Sequence, residues 1–194
     1  MECLFALTGK DFVLVASDTS AARSITVMKS NEDKTRPLTD HAIMAFAGEP
    51  GDAVQFAEYV QKNLKLYALR NGIEPNPKAV ASYTRREMAD SLRSRNAYHV
   101  NLLIGGYDPR DQTAHLYWLD YLASSAKVPF AAHGYGAYYL LSLMDRYHRP
   151  DITLEEGKAI LRKCVEELRR RFIINLPAFS VKLVDAEGIK EVQL

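Results

Sequence analysis

Apolar positions along the chain alternate between two periods. The sequence opens on short, nearly unbroken apolar stretches, Cys3 to Thr8 and Phe12 to Ser17, parted by Gly9-Lys10-Asp11, a hairpin turn in composition. Ser24 to Met28 continues in extended style. A further extended stretch begins at Lys34, and Ala42 to Ala47 makes another strand that ends at Gly48. The period then changes. Ala53, Phe56, Ala57, Val60, Leu64 and Tyr67 recur at helical spacing until Gly72, with Asp52 and Gln55 placed as a cap and its partner. Pro75-Asn76-Pro77 starts a second helix, Asn76 as N-cap and Pro77 at the first helical position, running to about Arg95.

Strands return at His99 to Tyr107 and Ala114 to Tyr121 around the turn Asp108-Pro109-Arg110-Asp111, and Val128 to Ala132 precedes Gly134-Tyr135-Gly136. A third helix carries Ala137, Leu140, Leu141 and Met144 on one face. Thr153 and Glu156 form a capping box for a fourth, whose apolar stripe is Leu161, Cys164, Val165, Leu168 and Phe172. Ala178 to Val184 and Ile189 to Val192 close the chain as two strands.

Each predicted helix has one apolar face, whereas Phe12 to Ala16 and Leu102 to Gly105 have no polar face at all. Strands without a polar face need cover on both sides. The order strands, two helices, strands, two helices, strands therefore predicts an α+β fold. Two facing sheets with a helical pair outside each give a four-layer α-β-β-α sandwich. No linker, repeat or low-complexity stretch divides it, so residues 1–194 are read as one domain.

Composition narrows the function classes. Across 194 residues, 25 basic and 24 acidic side chains leave a formal charge of +1, which argues against nucleic acid as the main partner. No apolar run approaches the roughly 20 residues that span a bilayer, and no basic-then-apolar leader opens the sequence. Cys3 and Cys164 lack metal or redox spacing and fit a reducing compartment; Cys164 reads as a small core hydrophobe. His41, His99, His115, His133 and His148 show no i,i+4 pair and no cysteine at ligand spacing, so neither a metal nor a cofactor is expected. Arg169-Arg170-Arg171 follows Glu166-Glu167 near a helix C-terminus, where cations are favoured, and reads as a solvated helix end or a salt-bridging contact to a neighbour.

The candidate chemistry sits at the start. A buried-looking strand ends on Asp18, and Lys34 heads the extended stretch that follows. Such a pair resembles the charged frame of an N-terminal nucleophile hydrolase. In a chain without its nucleophile, an ordinary structural ion pair is the favoured reading of the two. The element order, with Ala16-Ser17-Asp18, Lys34, Phe46-Ala47-Gly48 and Gly134-Tyr135-Gly136, resembles the proteasome beta subunits over essentially the whole chain. Val54 to Tyr59, Tyr98 to Leu103 and Ala131 to Gly136 narrow the resemblance to the type at the fourth position of the beta ring.

In active members, the resemblance implies, an N-terminal threonine attacks the peptide carbonyl with its own amine as base. It also implies a supporting Asp and Lys, a glycine amide for the oxyanion, and a second Asp with two Ser on later loops. Carried over, Asp18, Lys34 and Gly48 are kept. The nucleophile position falls at Met1-Glu2, about Glu2; the second Asp reads Phe172, its companion Ser reads Asn175, and the Ser of the Gly-x-Gly turn reads Tyr135. The resemblance thus implies a non-catalytic subunit that starts at Met1. It would sit in a seven-membered ring between beta neighbours, against an alpha ring and the opposite beta ring, in cytoplasm and nucleus, serving ATP- and ubiquitin-dependent degradation. The competing expectation is an active hydrolase whose nucleophile is exposed by processing. Cys3 is chemically suited to that role, although the strand register puts it one or two residues late. Tyr135, Tyr138 and Tyr139 read as core or as interface aromatics.

Overall fold

The computed structural model describes residues 2–23 and 26–194. Ser24 and Ile25, in the predicted stretch Ser24 to Met28, lie outside the described residues, as does Met1. Among the described residues, twelve strands and four helices follow the predicted order. The first sheet has strand order β10-β1-β2-β11-β12, from β10 (Phe130–Gly134), β1 (Cys3–Thr8), β2 (Val13–Asp18), β11 (Phe179–Asp185) and β12 (Gly188–Glu191). The second has order β5-β6-β7-β8-β9, from β5 (Thr35–Thr39), β6 (Ala42–Gly48), β7 (Val100–Asp108), β8 (Thr113–Leu119) and β9 (Ser125–Lys127). A separate two-stranded ribbon joins β3 (Ala21–Arg23) to β4 (Thr26–Lys29). Neighbouring strands pair antiparallel.

Strand alternation builds the layers. Along β1, Cys3, Phe5 and Leu7 face one side, where Leu140 and Met144 of α3 (Ala137–Tyr147) and Leu161, Cys164 and Leu168 of α4 (Leu154–Arg171) complete a core. Leu4 and Ala6 face the other side, meeting Ile43, Ala45, Leu103 and Leu116 of the second sheet. In β6 the even positions Met44 and Phe46 turn outward instead, against Phe56, Val60, Val80 and Met88 of α1 (Pro50–Asn71) and α2 (Pro77–Leu92). Three apolar cores therefore separate four layers, and strands buried on both faces account for the unbroken apolar runs in the sequence. This is the α-β-β-α sandwich that the pattern predicts.

Local signals differ in how far they hold. Asn76 caps α2 by accepting from the Ala79 amide, with Pro77 first in the helix, and Thr153 and Glu156 close a full capping box on α4. Gly72 ends α1 in the left-handed conformation at φ 68°. Asp52, however, does not cap α1. That helix begins at Pro50 with Glu49 as N-cap, because proline's fixed φ starts the helix three residues earlier. Asp52 lies in the first turn, and its carboxylate accepts from the His99 amide at 3.1 Å. α2 stops at Leu92 rather than Arg95. Leu141 is exposed, so the buried face of α3 reduces to Leu140 and Met144. Strands β3 and β9 carry no apolar pattern of their own and exist through pairing with β4 and β8.

Candidate functional site

The end of β2 delivers Asp18 beside the start of β1, since Leu4 pairs with Ser17 in the antiparallel register. Asp18 is fully buried and its carboxylate is saturated with donors. One oxygen accepts from the Cys3 amide at 2.8 Å; the other accepts from the Ser20 amide at 3.2 Å and the Lys34 ammonium at 2.7 Å. Lys34, 3% exposed, donates a second bond to the Ser20 carbonyl at 2.8 Å. Buried ions persist only when paired and hydrogen-bonded in this way.

Glu2 enters the same cluster from the opposite side. Its Oε2 accepts from the Gly48 amide at 2.7 Å, and its Oε1 stands 3.8 Å from Lys34 Nζ. Burial lifts this carboxyl above the usual carboxylate range, while Lys34 and the Gly48 amide pull it back. Gly48 has φ 153°, and a Cβ there would lie 2.1 Å from the His99 carbonyl oxygen. Only glycine fits, and its N–H is held on a fixed line. Gly134 pairs with Cys3 across β10 and β1 at φ 77°, and a Cβ on it would stand 1.9 Å from the Glu2 carbonyl oxygen. The Gly134-Tyr135-Gly136 turn is thus a slot for the backbone of residues 2 and 3.

The structure brings Glu2, Asp18, Lys34 and Gly48 together and leaves the other three candidates apart from them. Tyr135 is exposed, Phe172 meets the ring of Tyr139 edge-on with centroids 6.0 Å apart, and Asn175 is exposed. Cys3 is fully buried in the core beneath α3 and α4, and burial pushes its thiol up to about 12. Cys164 is buried in the same core, its thiol likewise raised to about 12. Neither sulfur is a thiolate at neutral pH.

Two features escape sequence reasoning. The partnership of Glu2 with Gly48 spans 46 positions, and no local signal announces it. Ser17 is buried with its hydroxyl unpartnered, although in the sequence it reads as the polar end of a strand. The histidines scatter. His41 donates to the Ala186 carbonyl, His148 to the Thr8 carbonyl and His133 to the Leu102 carbonyl. Among the described residues, no group of three or more His, Cys, Asp or Glu side chains could hold a metal ion. Arg169, Arg170 and Arg171 form the exposed last turn of α4, with Arg171 bridging Glu167 at 2.7 Å.

Comparison with other proteins shows the family of the chain. The family model described as proteasome subunit matches residues 2–184. A probable proteasome subunit beta type-4 of Neurospora crassa is 52% identical over 193 residues, covering 100% of this chain and 95% of the relative. Proteasome subunit beta type-4 of Saccharomyces cerevisiae is 46% identical over 192 residues, covering 99% and 97%. Proteasome subunit beta type-2 of Oryza sativa subsp. japonica is 48% identical over 191 residues, covering 98% and 89%. With this coverage and the sandwich fold, the chain belongs to the proteasome subunit family as one of its beta subunits.

Proposed function

We propose that this beta subunit is non-catalytic and serves the 20S core as a structural and assembly part of the beta ring. The observation that carries the reading is Glu2. At the head of β1, beside Lys34 and Asp18 and within reach of the Gly48 amide, an N-terminal nucleophile hydrolase needs a hydroxyl or thiol. Here a carboxylate stands on that amide at 2.7 Å, and a carboxylate offers no hydroxyl or thiol to attack a peptide carbonyl by that route. Asp18, Lys34 and Gly48 are then remnants of a catalytic frame retained for structure. Tyr135, Phe172 and Asn175 mark the supporting positions that have been replaced. Cys3 offers no alternative, because its sulfur is sealed in the core.

Residues 1–194 act on this reading as one rigid domain in a heptameric ring. It contacts different beta neighbours on both sides, the alpha ring on one face and the opposite beta ring on the other. Its part in ATP- and ubiquitin-dependent protein degradation, in cytoplasm and nucleus, is to close the chamber and hold active neighbours in shape. The test uses the assembled particle. Intact mass of this subunit should retain Glu2, and an electrophile that captures N-terminal threonines should label neighbours and leave this subunit unmodified. A mature chain beginning with Thr, Ser or Cys, or covalent labelling of this subunit, overturns the reading.

A further inference from the structure

We propose that the groove between the last turns of α1 and the first turns of α2 receives a segment of a neighbouring subunit that carries a carboxylate beside an apolar side chain. The proposal rests on the structural reading above and adds a place and a chemistry to it. A helical stripe here outruns its core. Along α1 the apolar period Ala53, Phe56, Ala57, Val60 and Leu64 is buried, but its next member, Tyr67, is 47% exposed. Leu66 and Ile73 stand open beside it at 43% and 54%. α1 packs on β5 and β6, and α2 on β7 and β8; unlike α3 and α4, the two make little contact with each other. The gap is a groove of about 600 Å³, lined in part by Leu64, Tyr67, Ile73 and Tyr83. That volume suits a few inserted side chains, and clustered exposed apolar groups with a polar rim mark interaction surfaces.

Charge selects the partner. Arg70 and Arg110 also line the groove, both exposed, Arg110 from the β7–β8 turn. Among the described residues neither guanidinium takes part in a salt bridge. Glu74, a carboxylate of the same lining, accepts from the Asp40 amide at 3.3 Å instead. α2 opens on the groove with no acidic residue in its first turn, so the positive end of its dipole adds to the field. A basic segment would be repelled. An acidic residue beside an apolar anchor complements the rim and fills the floor at once. The groove is remote from Glu2 and Lys34, because α1 starts beside Gly48 and runs 22 residues, about 33 Å, to reach it.

The test uses the assembled particle. Incorporation of the parent chain is checked first by native gel; failure to enter the particle defeats the structural reading itself. With incorporation shown, an Ile73→Cys variant should react with a maleimide in the free subunit and about tenfold more slowly in the particle. Both native cysteines are buried and leave the signal to position 73. Should Ile73→Cys not assemble, Asn71→Cys in the same lining carries the labelling. A photo-crosslinker at Asn71 should join one segment of a neighbouring subunit, with Asp or Glu next to an apolar residue. The double variant Arg70→Gln/Arg110→Gln should slow particle formation about tenfold and flatten its salt dependence, with the free subunit's unfolding midpoint unchanged. Equal labelling of the cysteine variant in both states, a crosslinked segment without a carboxylate, a crosslink to a second copy of this chain, or unaltered assembly of the arginine variant overturns the proposal.

Discussion

Lys34 and Asp18 meet at 2.7 Å with both side chains shut away from solvent, joining the start of β5 to the end of β2. The pair ties the two sheets together at the edge where β1 begins. The Cys3 amide on Asp18 and the Ser20 carbonyl on Lys34 make it a network rather than an isolated bridge.

Breaking that network from one side is expected to cost stability. Lys34→Ala strands a buried carboxylate, and Asp18→Asn strands a buried ammonium; each should lose about 3–5 kcal/mol in denaturant unfolding. The double variant Asp18→Asn/Lys34→Met should lose clearly less than the sum, because the two groups interact directly. Strict additivity would show that the pair contributes little as a pair.

Gly48→Ala tests the fixed amide. The added Cβ would sit 2.1 Å from the His99 carbonyl oxygen, at a φ that side chains rarely adopt. We expect a loss of roughly 1–3 kcal/mol, with the Gly48–Glu2 bond displaced. Gly72→Ala shares a positive φ but meets open space, and it should cost less. Comparing the two denaturant midpoints isolates the steric part.

His133 should make the fold acid-sensitive. Its ring is buried between the sheets, stacked on Trp118 at 5.1 Å with its N–H on the Leu102 carbonyl, and burial holds it down at about 4 instead of 6.5. The unfolded chain thus binds a proton more readily between those values. Stability from the neutral ring is complete above about pH 6.5 and is lost as pH falls toward about 4, by roughly 3 kcal/mol in all. Unfolding of parent and His133→Gln from pH 7 to pH 4 should show the variant's profile flattened in that window.

The two neighbouring tyrosines should separate folding from assembly. Tyr138 is 85% exposed at the start of α3, whereas Tyr139 packs on Phe172 against the first core. Tyr138→Ala should leave the unfolding midpoint within about 0.5 kcal/mol of the parent. It should nevertheless slow particle assembly on native gels, as an aromatic anchor against a neighbouring subunit would. Tyr139→Ala should cost about 2 kcal/mol of stability itself. Normal assembly of Tyr138→Ala would remove this surface from the ring contacts.

The layered fold was legible because its causes are local. Runs such as Val13 to Ala16 lack a polar face, and only a strand covered on both sides tolerates that. The helices announce themselves by period and by caps at Asn76 and Thr153, which act within three residues of their partners. The misread features depend on neighbours. Asp52 looks like a cap until Pro50 takes the helix start, Leu141 shares its helix's period but not its buried side, and β9 exists only through β8.

The candidate site was legible only through the resemblance to the family, which implies roles for Asp18, Lys34 and Gly48 and puts the nucleophile position at about Glu2. What those residues do to one another was not. The Glu2–Gly48 bond joins groups 46 positions apart, and Cys3 beside it is buried beneath α3 and α4. A hydrogen bond reaches about 3 Å, so only the packing of two sheets determines which distant donor a carboxylate finds. Sequence determined the elements, their layering and the chemical groups on offer; tertiary structure decided that Glu2 meets the amide and that Cys3 meets the core.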